Sequence, residues 1–340
     1  MSTDYYLFLN LNIYAIKLRP RMKFFVFAIT ICFLLSACKK DQLKATAIEK
    51  IETALTGEVN KILIQPSGEM LIVGGSRYAF SEIIAKPNNS ASWDYFKLDD
   101  ADGKAVYGIA NFGERVYAVS FDGKIFIKSA PTSPWYFVQT GAWEWFQDIF
   151  FTESNKGYVV SGNGYRSGRI YQTDSLGHLN KVDTFEFELC DIDFPQPHIG
   201  YACGYGAVLK TGDAGASWNL LNVRGDYFKA MHCVDANNIW AVGYNGSIIH
   251  SSDGGFSWDK QRNGNNPTLK KYRFRAVIFK DLNTGYAAGD NGLLIKTTDG
   301  GKHWSEFEHL SDSDFRCLAL HPDGSLWVAG TDGAIFRILE

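Results

Sequence analysis

The residues able to do chemistry in this sequence are scattered. It holds no Gly-x-Ser-x-Gly elbow, no His-Glu-x-x-His helix and no phosphate-binding loop. No two of the seven His residues have helical metal-ligand spacing. The nearest glycine pattern, Gly162-Asn163-Gly164-Tyr165-Arg166-Ser167-Gly168, has the wrong spacing for a dinucleotide site and falls between two strands. Asp99-Asp100-Ala101-Asp102-Gly103 opens like a calcium loop, but no Glu closes it, and a solvated turn accounts for it. Cys190, Cys203, Cys233 and Cys317 match no zinc or redox spacing and read as small apolar residues on strands. Cys190 and Cys203 lie on adjacent strands, but their repeat positions differ by one, which speaks against a disulfide. Asp191 and Asp193 are the carboxylates that a hydrolase could use as acid and base. The sequence therefore predicts no cofactor, no metal and no enzyme activity. A formal net charge of −3 gives no push towards nucleic acid or a membrane surface.

The elements that position these residues come from a repeat. Thr284-Gly-Tyr-Ala-Ala-Gly-Asp-Asn-Gly292 leads into a β-rich run, Leu293 to Thr298, then a tight turn at Asp299-Gly300-Gly301 and Trp304. The same phrase recurs around Ile239 to Trp258 and Gly200 to Trp218. Looser copies lie at Met70 to Trp93, Val116 to Trp135 and Gly157 to Gly177, and a last one starts at Leu326. Each is preceded by a further strand, such as Phe228 to Cys233, Phe274 to Phe279 or Phe315 to Leu320. Four strands per unit at a period of about 40–45 residues predict an all-β, seven-bladed β-propeller over residues 46–340. The last unit lacks its fourth strand, and Ile48 to Leu55 is expected to supply it and close the ring.

The turns at 211–218, 251–258 and 297–304 read Thr/Ser-x-Asp-x-Gly-x-x-Trp. This is the Asp-box. Asp213, Asp253 and Asp299 are expected to cap their own turns, and Trp218, Trp258 and Trp304 to plug gaps between strands. These six residues are structural. Sialidases also carry the box, but their Phe/Tyr-Arg-Ile-Pro motif is missing here; Phe274-Arg275-Ala276 and Phe315-Arg316-Cys317 share two letters with it.

The first 45 residues differ in kind. Met22-Lys23, an apolar run from Phe24 to Leu35, and Leu35-Ser36-Ala37-Cys38 resemble a bacterial lipoprotein signal, with Met22 as the start and residues 1–21 upstream of it. Cys38 is the expected lipid-attachment residue, followed by a tether over 38–45. The reading implies an exported protein anchored on the outer side of a bacterial membrane, periplasmic or on the outer membrane.

The phrases Phe274-Arg-Ala-Val-Ile-Phe-Lys280, Thr284 to Gly292 and Thr297-Thr-Asp-Gly-Gly-Lys-His-Trp304 resemble the photosystem II assembly/stability-factor family, well over 185–340 and weakly over 56–184. The resemblance implies a non-enzymatic assembly factor that holds membrane-protein subunits through a propeller face, with the partner itself left open.

On that face, the position eleven residues before the aromatic of the second strand holds Gln147, Cys190, Lys229, Arg275 and Arg316 in successive blades, and Asn60 in the first. Lys229, Arg275 and Arg316, with Lys270, Lys271 and Arg273, predict a basic side on blades five to seven. Asp148, Glu186, Glu188, Asp191 and Asp193 predict an acidic side on blades three and four. Trp143, Trp145, Tyr227 and Tyr272 interleave as aromatic anchors. The alternative is that each charge pairs across blades. The expectation is a monomeric scaffold for a protein of the cell envelope; glycan binding and glycoside hydrolysis are the other classes.

Overall fold

The computed structural model describes residues 42–340 apart from 89, 91, 99–102, 153–155 and 224. The lipoprotein signal, Cys38 and the Asp99–Asp102 carboxylates lie outside the described residues. The chain forms seven antiparallel sheets of four strands, and the first strands of successive sheets are neighbours around a closed ring. These innermost strands are Glu58–Ile64, Val106–Phe112, Phe146–Phe151, Leu189–Gln196, Phe228–Cys233, Phe274–Phe279 and Phe315–Leu320. The second strands, such as Gly285–Gly289 and Leu326–Gly330, are buried along their whole length because a blade lies on either side.

Ring closure works as expected, with a shorter strand. Ala47–Lys50 pairs antiparallel with Ile335–Leu339 as the fourth strand of blade seven. The last bond runs from the Ile51 amide to the Ile335 carbonyl, where the partner strand begins, so the segment up to Leu55 leaves the sheet. The third copy is also more regular than its spacing suggests. Its extra residues lengthen a hairpin that stays in register from Gly157↔Thr173 to Asn163↔Ser167.

Apolar faces of adjacent blades interlock. Trp240 of blade five stacks at 4.0 Å on His250 and at 3.8 Å on Phe279 of blade six. Truncation of such a fully buried aromatic costs about 3–5 kcal/mol. Cys190, Cys203, Cys233 and Cys317 are all free and buried, the last three in these layers, and burial pushes their thiols up. The Asp-boxes tie the outer turns. The Asp253 carboxylate accepts the Ser257 amide at 2.9 Å and the Ser257 hydroxyl at 2.6 Å, while the Ser251 hydroxyl accepts the Gly255 amide. Asp213 and Asp299 repeat the pattern. Asp174 caps the His178 amide in the same way, with Leu179 where the other boxes have Trp.

One constraint shapes every blade. Each innermost strand has a β-bulge near its start, for example between Phe274 and Ala276 opposite Gly289-Ala288. The bulge drives the preceding carbonyl into the second strand. A Cβ on Gly74, Gly204, Gly289 or Gly330 would stand 1.8–1.9 Å from that oxygen. In these four blades the glycine that ends the repeated phrase is therefore required by the bulge, whereas blades two and three carry Ser120 and Ser161 opposite theirs.

Two measurements test this architecture. A chain beginning at Ile51 exposes the Ile335–Leu339 edge; it is expected to melt at a lower temperature and to self-associate on size-exclusion chromatography. Hydrogen bonds to the Ser257 hydroxyl and amide hold the Asp253 carboxyl down at about 2. Its contribution is complete above the ordinary carboxylate range and disappears as pH falls through about 2. The stability gap between the protein and Asp253→Asn, measured by denaturant titration, is expected to be constant from pH 7 to pH 5 and to close in acid.

Candidate site at the channel mouth

The seven bulges aim seven side chains at the channel axis. They are Asn60, Tyr107, Gln147, Cys190, Lys229, Arg275 and Arg316, and all line a central channel of about 780 Å³. Six of these positions follow from the eleven-residue count. Tyr107 does not, because the tight Phe112↔Arg115 turn of blade two shortens the count by one; pairing of Tyr117 with Ala110 restores it to the same level.

The charge division expected from the sequence is replaced by local pairing. Arg275 bonds Asp290, reaches Asp314 at 3.6 Å and donates to the Tyr244 hydroxyl at 2.7 Å. Arg316 pairs with Glu58 at 2.7 Å. The basic arc of blades six and seven thus carries its own carboxylates. On the other side, Glu188 accepts from the Gln147 amide and from the Tyr165 backbone. Lys229 differs: its ammonium bonds the Cys190 thiol at 3.3 Å and the Tyr227 hydroxyl at 3.4 Å, and lies over the rings of Tyr227 and Tyr244.

Aromatic rings, not charge, divide the mouth. Arg77 lies 4.2 Å over Trp145, which packs on Tyr107 and Phe121. Tyr165, Tyr205, Tyr227 and Tyr244 continue the arc with centroids 4.9–5.6 Å apart. Tyr165 and Tyr205 remain about half exposed, at 53% and 49%. Three of these tyrosines, Tyr165, Tyr205 and Tyr244, sit on the turns between second and third strands. The signal was present: in blades four and five the residue just after the repeat glycine is Tyr205 or Tyr244.

The remaining candidates lie elsewhere. Tyr272 donates to Glu306 at 2.6 Å and, with Arg273, Lys270 and Lys271, lines a separate groove of about 540 Å³. Arg273 is mostly exposed, 4.0 Å from Asp290. Trp143 is 75% exposed.

One level below the bulges, Lys61 of blade one crosses the channel to Asp148 of blade three at 3.0 Å and Asp191 of blade four at 3.3 Å. Asp191 also accepts the Met231 amide at 2.8 Å. Burial opposes the Lys61 charge, but the two carboxylates outweigh it and raise its pKa. Burial pushes the Asp148 carboxyl well up, only partly offset by Lys61. Asp191 is held low despite burial by Lys61, Asp148 and the Met231 amide. Asp193 accepts the Cys233 amide at 2.9 Å. Asp191 and Asp193 are therefore engaged in holding the ring. Among the described residues, no cluster of His, Cys, Asp and Glu has metal-site geometry.

The sequence of residues 221–338, the last three blades, matches the family model of the photosynthesis system II assembly factor YCF48. No curated protein matches the sequence. Among solved structures, YCF48 bound to D1 peptide superposes with a TM-score of 0.71 at 14% identity, over 89% of this chain and 100% of that one. YCF48 from Cyanidioschyzon merolae gives 0.67 at 13% identity, over 86% and 99%. A streptogramin B lyase gives 0.70 at 12% identity, over 86% and 97%, so the fold by itself spans binding proteins and enzymes. The chain is an Asp-box propeller of seven blades that resembles the photosystem II assembly-factor family, in sequence over its last three blades and in fold around the whole ring.

Proposed function

We propose that this protein is a non-catalytic, protein-binding scaffold, and that an extended segment of its partner docks across the channel mouth. The observation that carries the reading is the aromatic arc from Trp145 to Tyr244, with Tyr165 and Tyr205 half exposed beside the Lys229 ammonium. Rigid aromatic side chains around a concave centre are the usual anchors of protein interfaces. The likeness to a YCF48 whose structure holds a D1 peptide supports a peptide-like ligand. The hydrolase reading loses its acid–base pair, since Asp191 is bonded through both oxygens and Asp193 caps a backbone amide.

We extend the reading to place. The Leu35-Ser36-Ala37-Cys38 motif supports export and lipid anchoring through Cys38, with a monomeric propeller presented at the cell envelope to a membrane-bound partner.

The test is capture from cross-linked, detergent-solubilised envelopes, read by mass spectrometry. Tyr165→Ser with Tyr205→Ser is expected to lower capture at least tenfold without changing the melting temperature. Unchanged capture, or recovery of polysaccharide in place of a protein, would overturn the scaffold reading. Arg275→Ala is expected to act differently: it strands Asp290 and Asp314 and lowers folding stability by about 1–3 kcal/mol in denaturant titration.

A further inference from the structure

Below the mouth the channel changes character. Asp148 and Asp191 hold a single ammonium, Lys61, and a third carboxylate, Asp193, lines the same channel beside His232. The fifth titratable group, His232, is a neutral imidazole, because its Nδ1 accepts the Phe279 amide; burial holds its pKa down against the pull of Asp193. The thiols of Cys233 and Cys317 add no charge. The cluster is therefore short of positive charge. Asp148 is 3% exposed, and its Oδ1 is buried with no hydrogen-bond donor. That oxygen sits where a side chain on Gly108 of blade two would otherwise stand, 2.8 Å from its Cβ position.

Away from the mouth, the innermost strands continue into an apolar wall formed by Leu63, Ala110, Phe150, Ile278, Leu318 and Leu320. Entry from the mouth side is opposed by the Lys229 ammonium, which bonds the Cys190 thiol and the Tyr227 hydroxyl. The opposite end offers an apolar approach to a group of buried acids with one oxygen unsatisfied.

We propose that the lower channel binds a small organic cation, a primary amine with an apolar body, whose ammonium bonds Asp148 Oδ1 beside Asp191 and whose body packs on Phe150 and Ile278. An ammonium supplies the donor that Asp148 lacks and the charge that Lys61 alone does not balance. Without such a ligand the same need is met by a proton on Asp148, directed to Asp191, in keeping with the upward displacement of the Asp148 carboxyl. Binding and protonation then compete. Uptake of the amine releases a proton, and affinity rises with pH until Asp148 is ionised without help. This site is independent of the scaffold reading, because it uses the other end of the channel.

The experiment is calorimetric titration of the full propeller with phenethylammonium, in two buffers of different ionisation heat, from pH 6 to pH 8. Saturable one-to-one binding with a proton released, and affinity rising with pH, is the expected result. 2-Phenylethanol, of the same shape without the charge, is expected to bind at least tenfold more weakly. Asp148→Asn is expected to weaken amine binding at least tenfold and to abolish proton release. Equal binding of the alcohol, no binding of the amine, or binding without pH dependence would each overturn the proposal. Because the last readout uses the unaltered protein, failure of Asp148→Asn to fold leaves the test decisive. Tyr165→Ser with Tyr205→Ser is expected to leave amine binding unchanged.

Discussion

The bulge at the start of each innermost strand governs the rest of the structure. The bulge inserts one residue at the start of the strand and turns its side chain to the axis. In four blades the displaced carbonyl comes so close to the second strand that the partner position carries no Cβ, and Gly74, Gly204, Gly289 and Gly330 stand there. Without the bulge, Lys229, Arg275 and Arg316 would follow the ordinary alternation into the layers between blades, where unpaired charge is costly. One backbone irregularity, used seven times, thus makes a channel mouth out of a structural repeat.

The same geometry explains what the sequence could disclose. Blade number, strand order, ring closure and the Asp-box caps were all legible, because each is written as a local pattern repeated in register. The six bulge positions were legible as well, since counting from one strand to the next spans a single hairpin. Partners across the ring were not. Lys61 meets Asp148 and Asp191 from residues 87 and 130 positions away, and Arg316 meets Glu58 over a separation of 258. No local spacing encodes such contacts. The charge-divided face failed for this reason: the cations were placed at the right level, but the carboxylates that neutralise them come from other turns. Of the tyrosine arc only Tyr227 was legible, because Tyr165, Tyr205 and Tyr244 stand on turns between second and third strands and meet it from other blades or hairpins.

Ion pairing at the mouth and inside the channel has different physical consequences. Arg275 and Arg316 are largely buried and pair with carboxylates from adjoining turns, so they chiefly fix the register of neighbouring blades. Lys61 spans the ring. Charges brought together there lose hydration, and a two-carboxylate, one-ammonium group remains uncompensated unless a proton or another cation joins it. Such a group is a poor source of stability compared with the Trp240 stack or the other interblade layers. Its place in the channel is easier to understand as a site with a preference for positive charge.

Regularity and function also divide along the chain. Blades five to seven repeat one another closely and carry the family's sequence pattern. Blades one to four depart from that pattern at the axis, although blade four keeps an intact Asp-box at Thr211 to Trp218. Directly after the bulge, the closely repeating blades have Ala230, Ala276 and Cys317, small residues that leave the axis open. The departing blades have Lys61, Gly108, Asp148 and Asp191 at the same level. The glycine gives Asp148 its room, and the three charged residues meet across the opening left by the small ones. Likewise Trp145 and Tyr165 stand on blade three, whose phrase matches the repeat loosely, and Tyr205 stands at the tip of a two-residue turn. A repeat that has to close a ring tolerates change only where the change does not touch the bulge or the interblade layer. The axis and the tips of the turns satisfy that condition, so the residues that distinguish this propeller from its own internal copies collect there.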